Sequence, residues 1–533
     1  VEATTAEPDR PNLLEAVAPA DGESLGAVAI ADAKAVRAAV SEARAVQRLW
    51  AQLRLSDRAR YMQRAAQAVI DESGELVELL CREQGRPRAE AELMEILPAV
   101  ETLQWLAEAA PEVLSGEKAR MSRVLHPLTR ARWTYEPLGV VAVIGPATEP
   151  FATPLGDVAV ALMAGNGVVF KPSPHAALAG ERIARVFARA GIPEGLLQVV
   201  HGHRDTGGAL VDSPVDQVRF TGSYAAGRDV LEACARQVKR AVLDLGGKDA
   251  ALVCADANVG RALDGIAWGA FANAGQCGGS IERAIVVREV ADRFVAGVVA
   301  RAQALRVGDP RAATTDIGPL ARRESLRMVK ELLDDAVAGG AELLCGGPLE
   351  PGPVSGPCCA PVVLTGVTSS MRIAREECPG PVLAVTIAES EEEAIALAND
   401  SDFGLGASVW TADRYKGARI ARELRVGMVW MNDHLVARSA PRLPWGGVRG
   451  SGIGRARGAI ALRTCAEPKV LTWEPARGRA FWWFPYGSDL VRFARAITRM
   501  RSTRDADRER AWKEGATPSL RVTARTLRTW RRR

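Results

Sequence analysis

G-V-V-A-V-I-G at 139–145, G-V-V-F-K at 167–171, L-Q-V-V-H-G at 197–202 and Q-V-R-F-T at 217–221 are short apolar runs whose spacing decides the fold. Segments with helical periodicity separate and follow them, at 155–164, 177–190, 205–211 and 224–237. Strands alternating with helices at this spacing predict an α/β chain built on a parallel, doubly wound sheet. Such sheets bind ligands at the carboxyl ends of their strands. Farther on, the run 241–245 ends at Gly246-Gly247, and paired glycines relax the backbone enough to mark a boundary. A second α/β region extends to about Arg455, and 464–473 reads as a late strand.

Upstream, residues 132–135 alternate like an edge strand. From Asp32, a helix-capping type, the segment to Trp50 is Ala-rich; helical patterns follow at 56–83, ending at Gly85 and Pro87, and at 89–110. This helical front end needs a sheet to cover. Residues 1–12 are polar and expected to be disordered or draped on the surface.

A chain of 533 residues has room for two or three domains. With 47% hydrophobic and 25% charged residues it has the balance of a soluble globular protein. No apolar run approaches the ~18 residues of a membrane span, and no signal-peptide core opens the chain, so a cytoplasmic location is expected. The nine cysteines include no C-x-x-C pair, which predicts reduced thiols, and the five histidines show no zinc spacing, so no protein-held metal is expected. Charge is uneven: from Ala476 onward 16 Arg and Lys stand against 5 Asp and Glu, a surplus of +11, which leaves −6 on residues 1–475 of a chain whose net charge is +5.

Two stretches carry candidate chemistry. Thr221-Gly222-Ser223 closes a strand and Gly227 falls in the first turn of the next helix, an arrangement whose free amides suit a pyrophosphate. F-A-N-A-G-Q-C-G-G-S-I-E-R, residues 271–283, links a helical segment at 259–272 to the apolar run 284–287. Gly275, Gly278 and Gly279 permit close backbone approach to a bound molecule, and Cys277 is the one strong nucleophile type there.

The second stretch resembles the nucleophile loop of the aldehyde dehydrogenase superfamily, Asn-x-Gly-Gln-x-Cys with Arg five residues later. Laid without a gap on Asn273, Gly275, Gln276 and Arg283, that pattern puts the family cysteine on Gly278, and Cys277 is one residue early. F-T-G-S-x-x-x-G matches 220–227, and A-G-N-G-V-V-F-K-P-S at 164–173 matches the segment whose lysine, here Lys171, holds the adenosine ribose. R-E-E-C-P-G-P-V at 375–382 resembles E-E-x-F-G-P-V, which gives Glu377 the nicotinamide ribose and puts Pro379 where the family has Phe. Residues 399–410 and 444–455 follow further family patterns, so the resemblance spans roughly 15–475.

The resemblance implies a Rossmann-type doubly wound cofactor domain at 1–127 and 139–247. It also implies an α/β catalytic-type domain at 248–455 and an oligomerisation hairpin from 128–138 and 462–475, with 476–533 a basic tail. It further implies NAD or NADP, with Lys171, Ser173, Gly222, Ser223, Gly227 and Glu377 as cofactor residues, and a homodimer or homotetramer. Pro174 stands where NAD-preferring relatives often carry a Glu, and His175 follows it, so NAD and NADP both remain open. The reaction needs a thiolate, oxyanion donors and a carboxylate base. The matching positions are Gly278, Thr148 and Asp244 where the family has Cys, Asn and Glu.

Two functions follow. In one, the chain oxidises an aldehyde to a carboxylic acid: Cys277 attacks the aldehyde, Asp244 activates water, and Thr148 with nearby amides holds the oxyanion. In the other it is a catalytically inactive pseudoenzyme that keeps cofactor binding as a scaffold or partner subunit. The tail adds F-W-W-F-P-Y at 481–486 and, after Ser488, a basic pattern with Leu490, Ala494, Ile497 and Met500 at helical spacing. That combination suits an anionic membrane surface, but the preferred reading is that the aromatics pack on the body and the arginines are solvated; no nucleic-acid partner is expected.

Overall fold

The computed structural model describes residues 12–122, 126, 128–435, 440–474 and 479–530. The loose terminus expected at 1–12 lies outside them except for Asn12, whose carbonyl accepts the Ile30 N–H at 2.8 Å. Two compact units result, one from residues 1–116 with 134–469 and one from 117–133 with 470–533.

The apolar runs form strands β1 (Val140–Ile144), β2 (Gly167–Lys171), β3 (Leu197–Val199), β4 (Gln217–Gly222) and β5 (Arg240–Leu245). They are all parallel, in the order β5-β4-β1-β2-β3. The chain steps outward from β1 to one side and returns to fill the other, so its order reverses between β1 and β4 and a crevice opens at their carboxyl ends. Both faces of β1 and β2 are buried, which is why their valines run without alternation. A two-residue strand, Gly452–Ile453, runs antiparallel beside β5 and sets Gly452 opposite Asp244.

Beyond Gly246-Gly247 a second sheet begins, with β6 (Asp249–Val253), β7 (Ile281–Val287), β8 (Glu342–Leu349), β9 (Cys358–Thr365), β10 (Val382–Ala388), β11 (Gly406–Trp410) and β12 (Met428–Met431). Its order is β8-β9-β10-β7-β6-β11-β12, and only β8 and β9 pair antiparallel. A third, three-stranded sheet holds Glu117–Ala119, Arg130–Pro137 and Ala466–Trp473, with Arg130–Pro137 in the middle.

The helical front end covers the first sheet. Asp32 caps Ala33–Trp50 by accepting the Ala35 N–H at 2.7 Å, and the Trp50 indole N–H reaches the Leu162 carbonyl at 2.8 Å. The pattern at 56–83 is two helices, Leu55–Asp71 and Ser73–Gln84, because Glu72 leaves helical geometry at φ −101°, ψ 5°. Its buried carboxylate lies within ion-pair distance of Arg182, Arg185 and Arg189. The pattern at 89–110 is also interrupted, by a π-helical turn at Glu92–Ile96 between Arg88–Ala91 and Leu97–Val113. That turn carries Glu95, whose carboxylate accepts the N–H groups of Phe151 and Ala152 at 3.3 and 2.6 Å and caps the helix Ala152–Met163.

Candidate functional site

A cavity of about 860 Å³ opens at the carboxyl ends of β1, β4 and β5. Thr148, Lys171, Ser173, Gly222, Ser223, Asp244, Cys277, Gly278 and Glu377 all line it. Residues as far apart in the chain as Thr148 and Glu377 thus share one space.

At one end, β2 delivers Lys171. Its ammonium is buried and donates to the Pro172 carbonyl at 3.0 Å; burial, with no carboxylate beside it, lowers its pKa to about 8. Two N–H groups are left for a ligand. Ser223 caps the helix Tyr224–Arg236 through the Ala226 N–H at 3.4 Å, and Thr221, Gly222, Ala225 and Ala226 line the cavity at this helix start. The first-turn amides form a place for phosphate oxygens. Gly227 differs from the expectation: it does not line the cavity, and a Cβ there would stand 2.4 Å from Leu245 Cδ2, so its role is to let the helix pack on β5. Glu377 reaches across to the glycine pair, where a Cβ at Gly246 would coincide with its carboxylate. Burial first, then Glu282, raise the Glu377 pKa to about 7.

At the other end the loop 271–283 is tightly held. Asn273, Ala274 and Gly275 occupy left-handed conformations in succession, at φ 52°, 53° and 72°, which is costly for the alanine. Asn273 Nδ2 donates to the Thr148 and Gln276 carbonyls at 3.2 and 2.7 Å, and Gln276 Oε1 accepts the Ala321 N–H at 2.9 Å. Arg283 is buried on the carbonyls of Lys248, Leu397 and Ala398. Gly275 lines the cavity and also packs on protein: a Cβ there would be 2.1 Å from the Gly380 carbonyl oxygen.

Gly278 is the opposite case. It lies outside the left-handed region, and a Cβ there would meet only Leu405 Cδ2, at an ordinary 3.8 Å. A Cβ at this position would therefore be accommodated without displacing a neighbour. Cys277 lines the cavity and is half-buried against the cluster of Leu405, Met428, Trp430, Leu435, Trp445 and Ala456. Thr148 Oγ1 donates to Glu149 Oε2 at 3.0 Å, so its hydroxyl proton points at a carboxylate.

Asp244, at the end of β5, is buried beside Trp445. Burial first, then the Asp157 carboxylate, raise its pKa to about 7 against the pull of Arg457. Behind it lies a second cavity of about 20 Å³, lined by Asp157, Thr153, Trp445 and Arg457 as well, with room for one water. Sequence reasoning missed Glu149, Trp445 and Arg457 as cavity residues. Trp445 was inside the quoted 444–455 pattern, and Glu149 adjoins Thr148, but only the fold turns them inward.

These motifs and their convergence fit one known architecture, and the model of the aldehyde dehydrogenase family matches residues 6–471. The chain belongs to the aldehyde dehydrogenase family. It is 36% identical over 477 residues to the 4,4'-diapolycopene aldehyde oxidase of Methylomonas sp, covering 89% of this chain and 88% of that one. It is 35% identical over 452 residues to a betaine aldehyde dehydrogenase of Cereibacter sphaeroides, covering 85% and 92%. The crystal structure of the Mycobacterium tuberculosis aldehyde dehydrogenase complexed with NAD+ is similar at TM-score 0.83 and 34% identity, over 87% of this chain and 95% of that one. The family's cofactor is NAD or NADP, and the donors of Lys171 with the helix start at Ser223 fit its hydroxyls and phosphates.

All nine cysteines are free thiols. Among the described residues one trio, Cys254, Asp256 and Glu391, could approach a common ion. Lys416 Nζ already lies 3.3 Å from Asp256 and 2.7 Å from Glu391, so an ammonium balances those carboxylates.

Proposed function

We propose that this chain is a cofactor-binding member of the aldehyde dehydrogenase family in which the covalent route is closed, and that it serves as a scaffold or partner subunit. The open space at Gly278 carries this reading: the loop keeps the family register through Asn273, Gln276 and Arg283, and the side chain that would react is missing from it. The first sheet with its helical cover, 1–127 and 139–247, holds NAD(P); 248–455 supplies the reaction end. The strands within 128–138 and 462–475 join copies of the chain into a dimer or tetramer.

A second reading has one observation in its favour, that Cys277 also lines the cavity. There its thiolate attacks the aldehyde, Asp244 activates water and Thr148 with adjacent amides holds the oxyanion, so that aldehyde, water and NAD(P)+ give carboxylic acid, NAD(P)H and a proton. Thr148 weakens that reading, because an oxyanion would have to win its proton from Glu149. A missing oxyanion donor costs on the order of a hundredfold or more in rate.

Calorimetric titration with NAD+ and NADP+, beside turnover of a panel of polar and apolar aldehydes, separates the two. Binding without reduced cofactor supports the first reading. Reduced cofactor that vanishes in Cys277→Ala installs the second.

A further inference from the structure

Residues 470–530 keep a set of aromatic side chains in solvent that their fold does not use. In the run 481–486, Phe481 turns inward onto Phe493 with ring centres 5.2 Å apart, and Trp482 packs edge-on to His126 at 5.0 Å. The other three rings turn outward: Trp483 is 55% exposed, Phe484 74% and Tyr486 65%, with the Phe484 and Tyr486 rings tilted against each other at 4.6 Å. Trp512 on the following helix is 69% exposed.

The two helices that follow explain why the charge is also left outside. Ser488–Met500 and Asp505–Trp530 pack antiparallel through Phe493, Ala496, Ala511 and Val522, and Gly515 lets them close, since a Cβ there would stand 2.4 Å from Ala496 Cβ. Their acidic residues are largely spent inside the pair: Glu514 on Arg499, Asp489 on Arg521, and Asp505 on Arg508. Arg492, Arg495, Arg501, Arg504, Arg510 and Lys513 are exposed and form no ion pair among the described residues. Unpaired cations next to exposed Trp, Phe and Tyr are the composition that seats at an anionic lipid–water interface, where rings sit at headgroup depth and cations meet phosphate and carboxylate. No helix among the described residues is long and apolar enough to cross a membrane.

We propose that this face docks on the surface of an anionic lipid bilayer, with Trp483, Phe484 and Tyr486 entering the headgroup layer and Arg492 and Arg495 meeting the lipid charge. The occupant is a lipid surface because the region's +11 surplus complements anionic headgroups, whereas the same face of a second copy would bring that surplus against it.

The test uses the full chain in co-sedimentation with vesicles of phosphatidylcholine alone and of phosphatidylcholine with 30 mole per cent, roughly a third, phosphatidylserine. The chain should pellet with the anionic vesicles only, and severalfold less at high salt. The triple change Trp483→Ser, Phe484→Ser, Tyr486→Ser, at positions too exposed to support the fold, should cut binding about tenfold or more with the melting temperature unchanged. Arg492→Gln with Arg495→Gln should lose the salt-sensitive part. Equal binding to both vesicle types, no binding to either, or full binding by the triple variant would overturn the proposal. A triple variant that loses no lipid affinity but falls to a smaller oligomer would show the face to be a contact between copies.

Discussion

The two ends of the cavity have changed to different degrees. At the proposed cofactor end Lys171, Ser173, Gly222, Ser223 and Glu377 follow the family motifs and line the cavity. At the reaction end Gly278, Thr148 and Asp244 have all departed, yet the residues that hold the loop still make their bonds. On the reading proposed above, positioning and reacting are carried by different side chains, and the second set has changed without the first. That separation can be strained from both sides.

The largest effect is expected where the reaction end's framework holds a buried charge. Lys248 Nζ sits 2.5 Å from Glu282 Oε2 with its side chain fully buried. Glu282→Ala strands the ammonium and should cost about 3–5 kcal/mol in denaturant unfolding. A loss well under that would mean the framework has relaxed along with the chemistry.

Asp244 comes next, through pH. Burial holds its folded pKa near 7, above the value of about 3.9 in an unfolded chain, so the folded state binds the proton more tightly. Its ionisation thus costs stability progressively from about pH 4 upward and in full above pH 7, by on the order of 4 kcal/mol. Asp244→Asn should unfold at a higher temperature than wild type at pH 8 and at the same temperature near pH 4. Equal melting at both would show that the carboxylate is hydrated in the folded chain.

Lys171→Met tests the opposite end. Losing hydrogen bonds from a charged donor should weaken NAD(P) by about 1.5–3 kcal/mol in calorimetry, while Thr148→Ala leaves cofactor affinity unchanged. Equal losses in the two would join the ends that are separated here. Smallest of all is Gly278→Ala, which adds a methyl group to open space and should change stability by no more than roughly 0.5 kcal/mol.

Much of this was legible in the chain itself. Parallel strands buried on both faces read as unbroken apolar runs, so 140–144 and 167–171 declared the sheet. Gln276 and Arg283 suggest the register that puts Gly278 at the family's cysteine position, on which the proposed reading rests. Interruptions of helices were not legible, because Glu72 and the π-helical turn at Glu92–Ile96 preserve apolar spacing while changing backbone geometry. The packing of Gly227 was hidden for a related reason: a glycine that admits a phosphate and one that admits Leu245 look alike until the neighbour is placed. Nor does a sequence show that the hydroxyl of Thr148 is given to Glu149, since that depends on one side-chain rotation.

The most direct test of the central claim is single-turnover formation of NADH or NADPH from an aldehyde panel by wild type, Cys277→Ala and Gly278→Cys. Wild type and Cys277→Ala should be equally silent, and Gly278→Cys should form reduced cofactor at a rate held down by Thr148 and Asp244. Reduced cofactor from wild type that disappears in Cys277→Ala would contradict the claim and make Cys277 the nucleophile.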